Sequence, residues 1–245
     1  MVRRISCFAM LLYVFSSMAP LHAQFPQIPG FEYPSKSNSG SPSGVDETQA
    51  VSGVKEALAV GTQRAVAEVA RPGGYLDNQA IKILVPQNLR PMERGLRDVG
   101  QGPKVDEFVA SMNHAAESAA PEAGKIFGDA VRQMTISDAK ALLTGGDTSI
   151  TDYFKAKTSA QLAVAFRPHV VTAMNANGVA QKYNALMSQV PQMPFMNSSS
   201  MDINTYVVNK ALDGLFYMLA QQEKQIRQNP AARTTALLKQ VFGAR

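Results

Sequence analysis

The chain has 245 residues, of which 24 are basic and 19 acidic, and it contains one cysteine, Cys7. One cysteine excludes a disulfide framework within the chain and a zinc site built on several thiolates. The weak positive balance, without a run of clustered Lys and Arg, argues against nucleic acid as a partner, because nucleic-acid-binding domains concentrate basic residues on one face.

Residues 1–23 have the organisation of an export signal. Two arginines in the first four positions precede an apolar stretch at 8–15, and a small residue suited to cleavage follows at Ala23. The apolar stretch is too short to span a bilayer, which takes about 20 residues. Cys7 lies before this stretch, which does not fit a lipoprotein. We expect cleavage near Ala23 and a periplasmic or secreted product with no transmembrane segment.

Residues 24–46, QFPQIPGFEYPSKSNSGSPSGVD, are rich first in Pro and then in Ser and Gly. This composition is typical of a disordered tether. Its aromatic residues are unusual in a spacer and could dock on a partner or fold back onto the domain. After cleavage the chain would keep 22 basic and 19 acidic residues, and it would contain no cysteine.

From residue 47 onward the apolar residues follow helical spacing, and no segment alternates convincingly like a strand. Several prolines stand where a new helix can begin, since the first turn of a helix needs no proline N–H: Pro72, Pro86, Pro121, Pro168 and Pro230. The spacing predicts helices over 47–70, 77–85, 87–99, 104–119, 121–134, 137–144, 149–166, 168–187, 202–228 and 230–242. The predicted fold class is all-α: one irregular multi-helix bundle over 47–245, preceded by the disordered leader.

The helix predicted over 202–228 is the expected centre of the fold. Its apolar residues cover an arc of roughly 220°, wider than the stripe of a surface helix. The remaining face carries polar and aromatic side chains, namely Tyr206, Asn209, Lys210, Asp213, Tyr217 and Lys224. This face is either the solvated side of the helix or the wall of a polar groove that binds a ligand.

Several ordered segments resemble a known family: GVKEALAVGTQRAV, GGYLDNQAIKILVPQNL, MNHAAESAAPEAGKIF, MTISDAKALLTGGDTSITDYFKAKT, KALDGLF and IRQNPAARTTALLKQVFG. Over about Val51 to Gly243 the chain resembles the bacterial exported family called domain of unknown function 4197. The resemblance implies a helical, signal-bearing, periplasmic protein of Gram-negative bacteria. It implies no activity and no catalytic residues. His114 stands where the family usually has Arg.

Residues in the segment 104–119 raise a metal hypothesis. His114 and Glu117 are three apart and share one side of a helix, but His114 lies nearly opposite the apolar face, and few other histidines exist to complete a site. Asn113 and Glu117, at the edge of the apolar face, are better placed as buried hydrogen-bond partners. The sequence therefore predicts no metal site and no cofactor.

Nucleophilic catalysis finds little support in the sequence. Without a cysteine in the mature chain, the nucleophile would be Ser or Thr activated by His or Lys, and no GxSxG motif occurs. No spacing pairs two carboxylates across a cleft. The sequence assigns no catalytic residue, and it favours a protein that is not an enzyme.

Two segments near the C-terminus have structural and functional interpretations. The Met-rich stretch 190–201 either completes the core or forms a flap or partner-binding patch. In IRQNPAARTT, Asn229 and Pro230 favour a helix start, and Glu223 and Arg227 are spaced for an i,i+4 ion pair. Arg227 and Arg233 could instead form an anion site.

The stretch LLTGGDTSITDYFKAKT at 142–158 contains glycines followed by Asp-Thr-Ser, as a phosphate-binding loop does. It follows a predicted helix and lacks the Lys of a P-loop, so we interpret the glycines as left-handed residues that end one helix. Ser149 and Asp152 would then form a capping box for the next helix.

Lys157 is the most distinctive candidate site residue. On the predicted wheel for 149–166, Lys157 and Gln161 fall inside the apolar arc. Such a lysine either extends along the core to the surface or pairs with a buried acceptor, for which Asp138, Glu117 and Asp213 are candidates.

The sequence favours an exported helical domain that binds a small molecule, a lipid or an envelope protein beside the 202–228 helix. The alternatives are a hydrolase or transferase with a polar pocket around Lys157, and a purely structural envelope protein.

Overall fold

The computed structural model describes residues 47–176 and 202–229, which belong to one compact unit, Gly44–Arg245. The described residues form seven α-helices and a short 3₁₀ helix at Gln87–Leu89, and they contain no strand. The α-helices are α1 Glu47–Ala70, α2 Arg90–Asp98, α3 Gly102–Ala119, α4 Glu122–Gln133, α5 Ile136–Thr144, α6 Ser149–Ala176 and α7 Ile203–Gln228. The all-α prediction is confirmed. The leader, the Met-rich stretch and the helix predicted over 230–242 lie outside the described residues.

Helix α7 lies at the centre of the bundle, as its wide apolar arc predicts. It packs against α1, α3 and α6. Its buried residues surround most of the helix: Ile203, Val207, Val208, Ala211, Leu212, Gly214, Leu215, Phe216, Met218, Leu219, Glu223 and Ile226. A helix that is contacted by three others buries more than one stripe of side chains, which explains the broad arc.

Helix α6 runs through Pro168 without a break, so the prediction of two helices meeting at this proline is wrong. Its buried side chains continue past the proline at spacings of four residues, at Phe154, Thr158, Leu162, Phe166, Val170 and Met174. The missing proline N–H leaves the carbonyl of Val164 without its helical donor. Val164 is 76% exposed and Pro168 is also exposed, so water can bind this carbonyl and the helix persists.

The helix predicted over 77–85 is also wrong, because this segment consists of turns followed by extended chain. Ile81, Ile83 and Val85 are buried, whereas Leu84 between them is 51% exposed. This alternation has the period of two that an extended backbone produces. The buried residues of IKILV therefore follow strand spacing, although the segment pairs with no strand in the described part of the chain.

Aromatic side chains connect three helices in the core. Phe127 on α4 contacts Phe154 on α6 edge to face, with ring centroids 5.1 Å apart, and lies 6.2 Å from Phe216 on α7. Edge-to-face contact is a favoured arrangement of aromatic rings. Among the described helices, none is both long and apolar enough to cross a membrane.

Candidate functional site

The carboxylate of Glu117 on α3 holds the turn that follows α1. Its Oε1 accepts hydrogen bonds from the backbone N–H groups of Tyr75 and Leu76, at 3.0 and 3.1 Å. Its Oε2 lies 3.0 Å from Nδ1 of His114, one helical turn away. Glu117 is buried, so these donors replace the water that the carboxylate loses on folding.

Asn113, one turn earlier on α3, holds the extended segment that follows. Its Oδ1 accepts from the N–H of Ile83 at 2.8 Å, and its Nδ2 donates to the carbonyls of Ile83 and Val109 at 2.9 and 2.7 Å. The amide thus satisfies both backbone groups of one extended residue, as a neighbouring strand would. Asn113 and Glu117 form what we call the first clip. Their prediction as buried hydrogen-bond partners is confirmed.

Tyr75 connects the first clip to the central helix. Its side chain is fully buried, and its phenol O–H donates to the carbonyl of Ala211 at 2.7 Å. Burial, together with the nearby charge of Glu117, raises the pKa of the Tyr75 phenol well above its usual value. Gly214 on α7 leaves the space for this ring, since a Cβ there would lie 2.6 Å from Cε1 of Tyr75.

A second buried carboxylate, Glu223 on α7, holds the start of α6. Its Oε1 accepts from the N–H of Ile150 at 3.1 Å, and its Oε2 accepts from the N–H and the hydroxyl of Thr151, both at 2.9 Å. The first N–H groups of a helix have no partner within the helix and favour a negative charge. Glu223 supplies that charge from another helix.

Arg227 binds the same carboxylate and extends the clip to the end of α5. Its Nε donates to Oε1 of Glu223 at 3.0 Å. Its NH2 group donates to the carbonyl of Leu142 at 3.0 Å and to Oγ of Ser149 at 2.8 Å. Glu223 and Arg227 form the second clip, which fastens both ends of the α5–α6 connection. The predicted i,i+4 ion pair is confirmed.

The second clip changes the interpretation of the GGDTS stretch. The helix N–H groups that would cradle a phosphate donate to Glu223, so a protein carboxylate already fills the anion-binding position. The predicted Ser149–Asp152 capping box is wrong. Oγ of Ser149 donates to the carbonyl of Leu142, and Asp152 accepts from the Thr148 hydroxyl.

The first glycines of the two Gly-Gly segments, at 73–74 and 145–146, differ in backbone conformation. Gly73, after α1, has φ = 75°, a left-handed conformation that glycine adopts without strain. Gly145, after α5, has φ = −71° and ψ = 168°, so the prediction that it ends its helix in the left-handed region is wrong. A Cβ at Gly145 would lie 2.5 Å from Cβ of Ser149. Close approach, not backbone freedom, explains a glycine at this position.

The predicted position of Lys157 and Gln161 inside the buried arc of α6 is wrong, because both residues are exposed. The buried polar positions of α6 are instead Thr151 and Thr158, about 100–120° around the helix from Lys157 at 100° per residue. Their hydroxyls bond within the protein. Lys157 places its Nζ 5.9 Å from the centroid of the Tyr153 ring. Lys157 therefore belongs to the surface of the bundle.

Of the three predicted carboxylate partners of Lys157, Asp138 lies close enough for the charge of Lys157 to act on it. Asp138 caps α5 in a capping box with Thr135. Hydrogen bonds from the backbone and hydroxyl of Thr135, with a smaller effect of the Lys157 charge, lower the pKa of the Asp138 carboxyl. Glu117 binds the turn after α1, and Asp213 accepts from Lys210 at 3.0 Å on α7. The ligand-binding role assigned to these residues stays a prediction.

The polar side of α7 is its solvated side. Asn209, Lys210, Asp213, Tyr217 and Lys224 are all exposed, and the Tyr217 side chain keeps 44% of its surface in contact with solvent. Tyr206, at the same side, is half-buried and donates its O–H to the carbonyl of Leu84 at 2.9 Å.

Of the two arginines in the predicted anion site, Arg227 lies within the described residues and Arg233 does not. The guanidinium of Arg227 is committed to the second clip. Over 47–176 and 202–229, no three His, Cys, Asp or Glu side chains are grouped so that they could hold a metal ion.

The bundle and its two clips define a helical protein whose buried polar groups fasten its own loops. Residues 44–243 match the family described as "Protein of unknown function (DUF4197)", and the chain belongs to that family. Curated proteins and solved structures offer no match to the chain.

Proposed function

We propose that this protein is an exported, non-enzymatic helical domain that binds a partner in the cell envelope through the exposed face of α7. Export is supported by the arrangement of charge, apolar stretch and small residue in residues 1–23. The absence of cysteine after that segment agrees with a chain whose stability depends on its helical core.

The non-enzymatic interpretation rests on the hydrogen bonds that the buried polar side chains form within the protein. Seven buried polar residues in the described part of the chain each form a hydrogen bond to their own protein; these are Thr62, Ser111, Asn113, Glu117, Thr151, Thr158 and Glu223. Among the described residues, the one buried side-chain oxygen without such a bond is the amide oxygen of Asn204, which is neither an acid nor a nucleophile. An acid, base or nucleophile for catalysis must be able to meet a substrate. These groups instead meet backbone amides, carbonyls and one another.

The exposed side chains of α7 support its assignment as the binding surface. Tyr217 places a large amphipathic ring beside the Lys210–Asp213 pair, and exposed tyrosines are enriched at protein interfaces. A tyrosine ring offers contact area at a small cost in side-chain entropy, and the flanking charges of both signs suit a polar rim.

Site-specific photocrosslinking in intact cells tests this function. The whole chain is expressed in a Gram-negative host with benzoylphenylalanine at Tyr217, and the matched control carries it at Lys125, an exposed position on α4. We expect one discrete crosslinked envelope species from position 217 and none from 125. Equal crosslinking from both positions would overturn the α7 interface. Intact-mass measurement of the same protein tests export, which requires loss of residues 1–23.

A further inference from the structure

A row of arginines lies along the outer side of α2. Arg90, Arg94 and Arg97 are spaced i, i+4 and i+7, which places them within an arc of about 60° on a helix with 100° per residue. Met92 and Leu96, on the opposite side, pack against the core. Helix α2 contains no buried residue, so the arginine row lies at the surface of the bundle.

Two of the three arginines form no ion pair within the part of the chain that the structure describes. Arg97 binds Glu93 at 3.2 Å and Asp106 at 2.7 Å, and these carboxylates raise its pKa. Arg90 and Arg94 are exposed and form no ion pair with any described residue. The segment 82–104 carries five basic and two acidic residues, a net charge of +3. The chain without residues 1–23 also has 22 basic against 19 acidic residues, so this one segment matches its entire net charge.

The arginine row continues onto an exposed apolar side chain, that of Leu84, whereas the nearby cation of Lys210 is paired with Asp213 at 3.0 Å. The phenol of Tyr206, which donates to the carbonyl of Leu84, is close enough to Lys210 and Arg90 for both charges to act on it. Burial raises the pKa of the Tyr206 phenol, and these two cations oppose that rise. Leu84 is 51% exposed just before α2, and Val99 is 70% exposed just after it.

We propose that this surface, formed by Arg90, Arg94 and Leu84, docks on an anionic phospholipid bilayer. Arginine forms paired hydrogen bonds with phosphate groups, and clustered basic residues are attracted to the negative potential of anionic lipids. An adjacent leucine can enter the headgroup region, where an apolar side chain leaves water. Nucleic acid fits less well, since an exposed aliphatic side chain beside the arginines offers a phosphate backbone nothing to bind.

This inference is independent of the crosslinking partner of α7, because it concerns a bilayer and tests different residues. Protein from expression of the whole chain is floated with vesicles of phosphatidylglycerol and phosphatidylethanolamine, or with neutral phosphatidylcholine vesicles. We expect partition onto the anionic vesicles only, and release as salt is raised from 50 to 500 mM, because screening weakens the attraction.

The decisive variant is Arg90→Gln with Arg94→Gln, which should lower the partition coefficient by about tenfold to thirtyfold. Its matched control, Lys125→Gln with Lys155→Gln, removes two exposed charges from α4 and α6 and should bind like the wild type. Leu84→Ser should weaken partition several-fold at constant charge. Equal urea unfolding midpoints establish that all variants are folded.

Three results would overturn the proposal. They are equal binding to neutral vesicles, equal losses in the two double variants, and no binding of the wild type to anionic vesicles. Salt-sensitive binding to soluble polyglutamate without binding to vesicles would assign the surface to an acidic protein and would likewise overturn it.

Discussion

Glu223 and Arg227 form a buried ion pair, 3.0 Å between Oε1 and Nη2, that is shared by three helices. Both residues lie on α7, the carboxylate binds the first N–H groups of α6, and the guanidinium binds a carbonyl in the last turn of α5. Each charge thus satisfies groups that a helix end cannot satisfy itself. The pair converts a connection of glycines and small polar residues into a defined corner.

Removal of the Glu223 charge should strongly destabilise the protein. The side chains of Glu223 and Arg227 are 0% and 7% exposed, so Glu223→Gln removes a buried negative charge 3.0 Å from a nearly buried guanidinium. Breaking a buried pair in this way costs about 3–5 kcal/mol. The free energy of unfolding from urea titration at pH 7 measures the loss.

Asp213→Asn is the matched control, because Lys210 and Asp213 form an ion pair on the same helix but are 47% and 60% exposed. Exposed pairs contribute about 0–1 kcal/mol. A loss at Asp213 as large as the loss at Glu223 would contradict the assignment of the effect to burial.

The elements that could be predicted from the sequence are those with local signals. Helices α1 and α7 show apolar periodicity over more than twenty residues, and their predicted bounds agree with the structure within one residue. The break at Pro168 was wrong because its effect depends on exposure of the Val164 carbonyl, which sequence does not reveal. The segment 81–85 carries no clear local signal, because four of its five residues are apolar and the outward-facing Leu84 cannot be told from its buried neighbours in the sequence.

The clips show why part of the candidate site could be predicted and part could not. Asn113 and Glu117 lie at the edge of an apolar face, where a polar side chain is expected to need a buried partner. The partners of Glu223 lie 72 and 73 positions away in the chain, and no local pattern links them. Lys157 was misplaced for a related reason: the rotation of α6 is set by its contacts with α3, α4 and α7.

Asn113→Leu should release the extended segment from α3. The substitution keeps the approximate volume but leaves the N–H and carbonyl of buried Ile83 without their partners. A buried unsatisfied polar group costs about 1–3 kcal/mol. We expect a loss of about 2–5 kcal/mol in unfolding free energy, and faster hydrogen exchange at the amide of Ile83 than elsewhere in the core.

Ser111→Ala provides the comparison for Asn113. Ser111 is also buried on α3, but its hydroxyl donates only to the carbonyl of Glu107 within the same helix. Its removal should change stability by less than about 1 kcal/mol. Unchanged exchange at Ile83 in Asn113→Leu would mean that the segment is held by apolar packing alone.

Gly214→Ala should destabilise the contact between α7 and the turn after α1. The new Cβ would lie 2.6 Å from Cε1 of Tyr75 and 3.1 Å from Cβ of Ile81. The Tyr75 ring cannot move aside without breaking its hydrogen bond to Ala211. Overpacking of this kind costs about 1–3 kcal/mol.

Gly124→Ala on α4 is the matched control, because a Cβ there meets no atom within 4 Å. This substitution should stabilise the protein by about 0.5–1 kcal/mol. Thermal unfolding of the two variants should therefore give shifts in midpoint of opposite sign.

Tyr75 should make the stability of the protein fall at alkaline pH. Its pKa is raised in the folded state by burial and by the charge of Glu117, whereas in the unfolded chain it is about 10. Below pH 10 both states hold the proton and the full stability is present. Above pH 10 the unfolded chain releases the proton first, so the free energy of unfolding should decrease by up to about 1.4 kcal/mol per pH unit. Urea titrations at pH 9 and 11 measure this decrease.

Tyr75→Phe should reduce the decrease while lowering stability at pH 9, because the hydrogen bond from the phenol to the Ala211 carbonyl is lost. The pKa values of Tyr153 and Tyr206 are also raised, so a smaller slope should remain in the variant; an identical slope in both proteins would exclude Tyr75 as its source.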